Sequence, residues 1–230
     1  RTDSIVNKHF AGTSTLNIVL EAEEPGAFKR PEVLSDMDRL QDELETDPAV
    51  GDSFALTDFI KRMHQVMHEE EDDYYAVPES QELIAQYLLL YEMSADPDSL
   101  EQVIDYEYRR ANLTVQVKDD SSRTLSALIE ISDTYRDDFA GYGISLHYAG
   151  SGYRALVFSE LILEGQIISL AISLVIVVVL LSIMFKNIII GLIGAIPIAI
   201  TAVLNFGVMG ILGIPLSSST ALISSIAVGI

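Results

Sequence analysis

Apolar residues are distributed so unevenly that the chain divides into a mixed front part and an almost uncharged rear part. From Gly165 to Ile230 the one charged residue is Lys186, and Ile167 to Phe185 holds nothing more polar than serine. A helix rises about 1.5 Å per residue, so such a run crosses a hydrocarbon core about 30 Å thick. The pattern predicts one long helix over residues 156–186 that includes a transmembrane span.

Two further apolar stretches follow this helix. Residues 188–212 predict a second span, and residues 215–230 predict the start of a third, which the end of the sequence truncates at too short a length to cross alone. The sequence opens on Arg1 rather than on Met and shows no signal peptide. We therefore expect a fragment of a longer protein, whose rear part belongs to an all-α transmembrane bundle.

The front part, residues 1–155, alternates between strand and helix periodicity. Thr15 to Ala22 alternates apolar and polar residues, as a half-buried strand does. A helix-period run from Val33 to Leu44 follows Pro31, and Ser53 to Leu56 predicts a returning strand. These segments together predict a strand–helix–strand unit.

The same order recurs later in the front part. Asn112 to Lys118 predicts a strand, Ser121 or Ser122 can cap a helix, and Ile144 to Tyr148 predicts a closing strand. Two such units predict an α+β, ferredoxin-like βαβ-βαβ domain. Residues 57–106, between the units, predict a helical insertion that covers a face or meets a partner.

Charge indicates the side of the membrane on which each part lies. All 34 acidic residues and 13 of the 14 Lys and Arg lie at or before Glu164. This acidity argues against a nucleic-acid partner and against docking on anionic lipid. Lys186, in the short connection between two spans, favours the cytoplasmic side. We expect a multi-pass protein of the cell membrane with residues 1 to about 160 outside the cytoplasm.

Candidate chemistry in the sequence is sparse. His64 and His68 share one helical face, but the glutamate of a zinc-protease motif is missing, so a solvated helix end is the favoured interpretation. No nucleophile elbow, P-loop or dinucleotide fingerprint occurs, and we expect no catalytic, cofactor or metal site. Within the spans, Asn205, Ser218 and Thr220 are candidate pathway or helix-contact residues, with helix packing or backbone satisfaction as the favoured alternative.

Several segments carry a resemblance to a known family. These are TLNIVLEAEEPGAFKRPEVL and SQELIAQYLLLYEMS in the front part, the Lys186-Asn187 turn, Pro197, GILGIPL at 210–216 and ALISSIAVGI at 221–230. In order and spacing they resemble the resistance–nodulation–division (RND) superfamily. The resemblance is to its predicted-exporter branch, which is related to mycobacterial membrane lipid transporters (MMPL-like) and to sterol-sensing-domain proteins.

The resemblance implies export of hydrophobic or amphiphilic substrates, such as lipids or drugs, driven by a proton or sodium gradient. It also implies membrane lipids and the other half of the same transporter as partners, with homo-oligomers possible. In this family the coupling acid follows the equivalent of Gly229-Ile230, so it is expected beyond Ile230. The alternative is a membrane-anchored lipid-sensing or protein-export and assembly factor of the same fold, without transport activity. A membrane enzyme is a distant third.

Overall fold

The computed structural model describes residues 12–94, 100–119 and 121–211. The chain divides into two compact units, Arg1–Ala155 and Leu156–Ile230. The predicted third span at 215–230 lies outside the described residues. Each unit has its own packing.

Among its described residues, the first unit contains four strands, five helices and the beginning of a sixth helix. In chain order they are β1 (Ser14–Ala22), α1 (Pro31–Glu45), β2 (Val50–Phe54), α2 (Leu56–Met67), α3 (Gln81–Ser94), β3 (Arg110–Val117), α4 (Ser122–Thr134), α5 (Arg136–Gly141), β4 (Ile144–Ala149) and the start of α6 (Gly150–Phe185). Short 3-10 turns occupy Ala27–Lys29 and Asp72–Tyr74. The predicted α+β class is confirmed.

The four strands form one antiparallel sheet in the order β2-β3-β1-β4. The central strand β1 pairs with β3 and with β4, placing Ile18 opposite Leu113 on one side and opposite Tyr148 on the other. Strands β1 and β2, which flank α1 in sequence, are separated in the sheet by β3. This arrangement is that of two interleaved βαβ units, as the alternating pattern predicted.

One face of the sheet forms the core. Alternate side chains of the two central strands are fully buried, namely Leu16, Ile18, Leu20, Leu113, Val115 and Val117. Leu40 and Leu44 of α1, Leu128 of α4 and Phe139 of α5 are also fully buried. The period-2 pattern of the strands and the 3.6-residue pattern of the helices therefore converge on the same interior.

The returning strand differs from the expectation. It covers Val50–Phe54 rather than Ser53 to Leu56, and Leu56 begins α2. The carboxylate of Asp58 accepts a hydrogen bond from the Ala55 backbone N–H at 2.9 Å and so caps the new helix. Leu56 is therefore apolar because the first turn of this helix is buried. A short apolar run in the sequence fits either a strand or the first turn of a buried helix, so the pattern alone could not separate the two.

The helical insertion between the two strand–helix–strand halves of the first unit consists of α2, the 3-10 turn Asp72–Tyr74 and α3. Part of the predicted insertion, residues 95–99, lies outside the described residues, and Ile104 forms an isolated bridge with Ala111. After β3, Ser121 is the cap of α4, since its Oγ accepts a hydrogen bond from the Thr124 N–H. A hydrogen bond from the Thr124 hydroxyl lowers the pKa of Asp119.

The second unit is a helical hairpin of α6 and α7 (Ile188–Ile211). The Lys186 N–H donates to the Ile183 carbonyl at 3.2 Å and the Asn187 N–H donates to the Ser182 carbonyl at 3.1 Å, which is the bond pattern of a Schellman motif. Lys186 has a φ of 51°, and Asn187 Oδ1 accepts from the Ile189 N–H. The sequence pair Lys-Asn therefore ends one helix and starts the next.

Within the described ranges, α6 is the helix that is long and apolar enough to cross a membrane by length and composition. Residues Ile188–Thr201 of α7 form a shorter apolar helical stretch. The predicted transmembrane bundle is therefore not confirmed by the described helices alone.

Candidate functional site

The structure gives no side-chain geometry for the site residues predicted within the spans. Asn205 lies in α7, where the placement of its side chain is not described, and Ser218 and Thr220 lie outside the described residues. Their roles as pathway or helix-contact residues stay predictions. The geometry that the described residues do provide comes from the α6–α7 hairpin and from a turn in the first unit.

The two helices of the hairpin approach closely at Gly191. A methyl group on Gly191 would lie 2.8 Å from the Val178 carbonyl oxygen and 3.0 Å from the Ser182 amide nitrogen. Ser182 donates its hydroxyl hydrogen bond to the Val178 carbonyl at 2.6 Å, so its polar group is satisfied within its own helix. Glycine here permits the close contact that helices in an apolar environment use for packing.

A polar turn between residues 105 and 110 lies beside two cavities of the first unit. The Tyr108 N–H donates to the Asp105 carbonyl at 3.0 Å, closing a β-turn. One carboxylate oxygen of Asp105 accepts hydrogen bonds from the N–H groups of Arg109 and Arg110, at 2.7 and 2.9 Å. Tyr108 has a left-handed φ of 53°, which these bonds hold in place.

Backbone hydrogen bonds join the same turn to the segment after β1. The Gly26 N–H donates to the Glu107 carbonyl at 2.9 Å, and the Ala22 N–H donates to the Arg109 carbonyl at 2.8 Å. Tyr106, at the tip of the turn, is 90% exposed, whereas Tyr108 is 8% exposed. The turn therefore presents one tyrosine ring to solvent and inserts the other against the domain.

Two clefts flank the turn. The Lys29 cleft, of about 510 Å³, lies between the Pro25–Lys29 segment, α3 and the turn. The turn groove has a volume of about 270 Å³ and is lined by Glu92, Leu100, Glu101, Ile104, Asp105, Tyr106 and Tyr108. The two cavities share Glu92 and both tyrosines, so they adjoin across the turn.

Glu92 of α3 joins the wall of the groove to the turn. Its carboxylate accepts a short hydrogen bond from the Tyr108 hydroxyl. Burial, together with this bond to an acidic partner, raises the pKa of Tyr108 above its usual range. The phenol therefore stays protonated at physiological pH and orients the Glu92 carboxylate.

The two histidines of the insertion form an aromatic cluster. The His68 ring stacks on Tyr74 with centroids 3.9 Å apart, and His64 Nδ1 lies 3.0 Å from the Ala76 carbonyl oxygen. No group of three or more His, Asp or Glu suited to hold a metal ion occurs in the part of the chain that the structure describes. This arrangement stabilises the 68–76 loop by ring contacts.

Sequence reasoning did not single out the turn. Its signal was present as Asp105-Tyr-Glu-Tyr108, a polar and aromatic run between two apolar segments, but the pattern does not reveal which residues of α3 it faces. Only the pairing of the turn with residues 22–28 brings Glu92 and Tyr108 together.

The similarity to known proteins extends over the whole chain. A family model described as the MMPL family matches residues 1–230. A search of curated proteins gives no match. The matched range includes the α+β unit, the long apolar helix and the rest of the apolar region. Because the family model covers the chain from end to end, this membrane protein belongs to the MMPL family of the RND superfamily of transporters.

Proposed function

We propose that the chain is part of an ion-gradient-driven RND-type transporter that exports hydrophobic or amphiphilic substrates. The observation that carries the proposal is the family match over residues 1–230, on a chain in which an α+β unit continues into an apolar helix. In this proposal the front unit accepts the substrate and the apolar helices belong to a multi-pass bundle. The coupling ion is a proton or sodium, bound at an acid beyond Ile230.

The proposal is also supported by helix α6, which continues without a break from the first unit into the apolar region. It has 36 residues, which corresponds to about 54 Å at 1.5 Å per residue and exceeds one hydrocarbon core. It starts directly after β4, and the Thr15 N–H donates to the Ser151 hydroxyl at 3.0 Å. The first residues of α6 are thus joined to the central strand β1 within the first unit, and in the proposed transporter this junction lies between the substrate-accepting sheet and the apolar part of the helix.

The rival function is a membrane-anchored sensor or assembly factor that binds lipid or protein without transport. It shares the fold and the family match, so the discriminating observation is ion flux. The full-length protein is reconstituted into proteoliposomes with a pH-sensitive dye inside, and a proton gradient and then a sodium gradient are imposed. Substrate-stimulated flux that disappears when the first acid beyond Ile230 is neutralised supports the proposal. Absence of flux with either ion favours the rival.

The proposed localisation has a separate test. These 230 residues contain no cysteine, so single cysteines introduced into them report topology once any cysteine elsewhere in the full-length protein has been replaced. A membrane-impermeant maleimide applied to intact cells is expected to label Asp73→Cys and to label Asn187→Cys only after permeabilisation. The reverse pattern would place residues 1 to about 160 in the cytoplasm and contradict the proposed orientation.

A further inference from the structure

The turn groove has an apolar floor and a rim that carries negative charge. Leu100 and Ile104 are 5% and 3% exposed and form its base. Three acidic residues, Glu92, Glu101 and Asp105, line it, and none of the described lining residues is Lys or Arg. Such a lining complements a ligand that combines apolar surface with positive charge.

The aromatic residues of the groove add a second recognition element. Lys29 Nζ already lies 3.9 Å from the centroid of the Tyr108 ring, on the side of the adjoining Lys29 cleft. This contact demonstrates that the turn positions a tyrosine face for a cation. Tyr106, which lies two residues away and is 90% exposed, provides another ring without a described ring partner in the folded domain. Tyrosine faces and nearby carboxylates together are the usual environment of bound alkylammonium groups.

The carboxylates of the groove are held in position before a ligand arrives. Tyr108 donates its hydroxyl hydrogen to Glu92, and two backbone N–H groups bond to one oxygen of Asp105. No ion pair with a Lys or Arg side chain is formed by Glu92, Glu101 or Asp105 among the described residues. Preorganised negative charge reduces the ordering cost of binding a cation.

We propose that the turn groove binds the cationic head group of an amphiphile, with a quaternary or alkyl ammonium as its chemical class. The inference rests on the proposed transport function in so far as this amphiphile is the exported substrate. At about 270 Å³ the groove falls just below the usual size of a site that encloses a drug-sized ligand, so it accepts the head group while the apolar tail lies outside it.

Binding is tested with a soluble head-group probe on the full-length protein in a non-ionic detergent. Choline is titrated by isothermal calorimetry against 3,3-dimethylbutan-1-ol, its uncharged isostere. Choline is expected to bind and the isostere to bind at least about tenfold more weakly, since the isostere has the same shape and no charge. Choline affinity is also expected to fall as salt is raised from low to physiological concentration.

Variants of exposed or half-buried lining residues locate the site. Glu92→Gln keeps the hydrogen bond from Tyr108 and removes the charge, so choline affinity is expected to fall about five- to tenfold. Tyr106→Ala is expected to weaken binding about threefold or more through loss of a cation–π face. Glu130→Gln, on the exposed side of α4, makes the same change in net charge away from the groove and is expected to leave binding unchanged.

The outcomes separate the site from the transport function. Choline binding that depends on Glu92 and Tyr106 supports the site, and flux stimulated by an alkyltrimethylammonium in proteoliposomes then supports cationic cargo. Glu92-dependent binding without flux for any substrate supports the site and contradicts the proposed transport function. Flux stimulated by anionic or neutral amphiphiles with no choline binding overturns the inference and leaves transport intact. Equal losses in Glu92→Gln and Glu130→Gln would overturn it as a general charge effect.

Discussion

Replacement of Gly150 by alanine tests the junction between β4 and the long helix α6. Gly150 has a φ of +99°, a conformation that residues with a Cβ adopt only under strain. A Cβ at this position would overlap the Thr15 carbonyl oxygen and lie 3.1 Å from the Thr15 carbonyl carbon. The substitution therefore combines backbone strain with a steric conflict against the central strand β1.

Two control variants separate the backbone strain from the steric conflict and so give the expected loss of stability in Gly150→Ala. Gly143 has a φ of +74° with no atom within 4 Å of an added Cβ, so Gly143→Ala tests strain alone and costs about 1–2 kcal/mol. Gly141 has neither a positive φ nor a close neighbour, and Gly141→Ala is expected to change stability by less than about 1 kcal/mol. Displacement of β1 in Gly150→Ala adds about 1–3 kcal/mol, for a total of about 2–5 kcal/mol.

Hydrogen–deuterium exchange of the full chain in detergent measures this cost where it arises. The readout is the protection of amides in Ser14–Ala22, the strand that pairs Asn17 with Ala149 of β4. A loss of about 3 kcal/mol accelerates exchange of these amides by about two orders of magnitude. If the β1 amides of Gly150→Ala exchange no faster than those of Gly143→Ala, the steric conflict with Thr15 is refuted as a cause of lost stability.

Three further predictions concern other parts of the chain. In the native protein the Lys61 ammonium lies 2.6 Å from the Asp38 carboxylate, so Lys61→Met leaves Asp38 as a half-buried acid without its partner. This substitution is expected to lower the free energy of unfolding by about 2 kcal/mol, as measured by urea denaturation. The double variant with Asp38→Asn is expected to recover most of that loss. The lowered pKa of Asp119 contributes stability that is fully present above the unfolded-state value near 3.8 and is lost as pH falls through the folded-state value, so Asp119→Asn is expected to flatten the acid limb of a stability–pH curve. Gly191→Ala is expected to lower the thermal unfolding midpoint of the hairpin in detergent. Gly207→Ala is the control and is expected to leave the midpoint unchanged, because an added Cβ there meets no atom within 4 Å. Equal midpoints for the two variants would contradict the close packing of α6 and α7.

Local patterns predicted most elements because their signals depend on near neighbours in sequence. The alternation in Thr15 to Ala22 and Asn112 to Lys118 identified β1 and β3, which begin or end within two residues of the predicted limits. The apolar run predicted one long helix over residues 156–186, and α6 covers Gly150–Phe185, so it begins six residues earlier than the predicted limit. The returning strand was misplaced because a four-residue apolar run fits either a strand or the first turn of a helix.

The turn groove was not predicted from the sequence, because its residues come from separate segments. Its walls come from α3 and from residues 100–108, and its fixed geometry depends on hydrogen bonds from Ala22 and Gly26. Glu92 is an ordinary helical glutamate in the sequence, and Tyr106 is an ordinary loop tyrosine. They become a candidate site only when the sheet pairs β1 with β3 and brings the turn against the segment after β1.

The sequence by itself determined the division into an acidic α+β part and an apolar helical part, the membrane character of the latter and most helix and strand positions. These properties follow from the transfer energy and periodicity of side chains, which are encoded within a few consecutive residues. The tertiary structure alone decided the register of the paired strands, the groove beside Glu92 and the close contact of Gly150 with Thr15. Each of these depends on residues tens to more than a hundred positions apart, such as Thr15 and Ser151, 136 positions apart, because burial of one continuous core selects which distant segments meet.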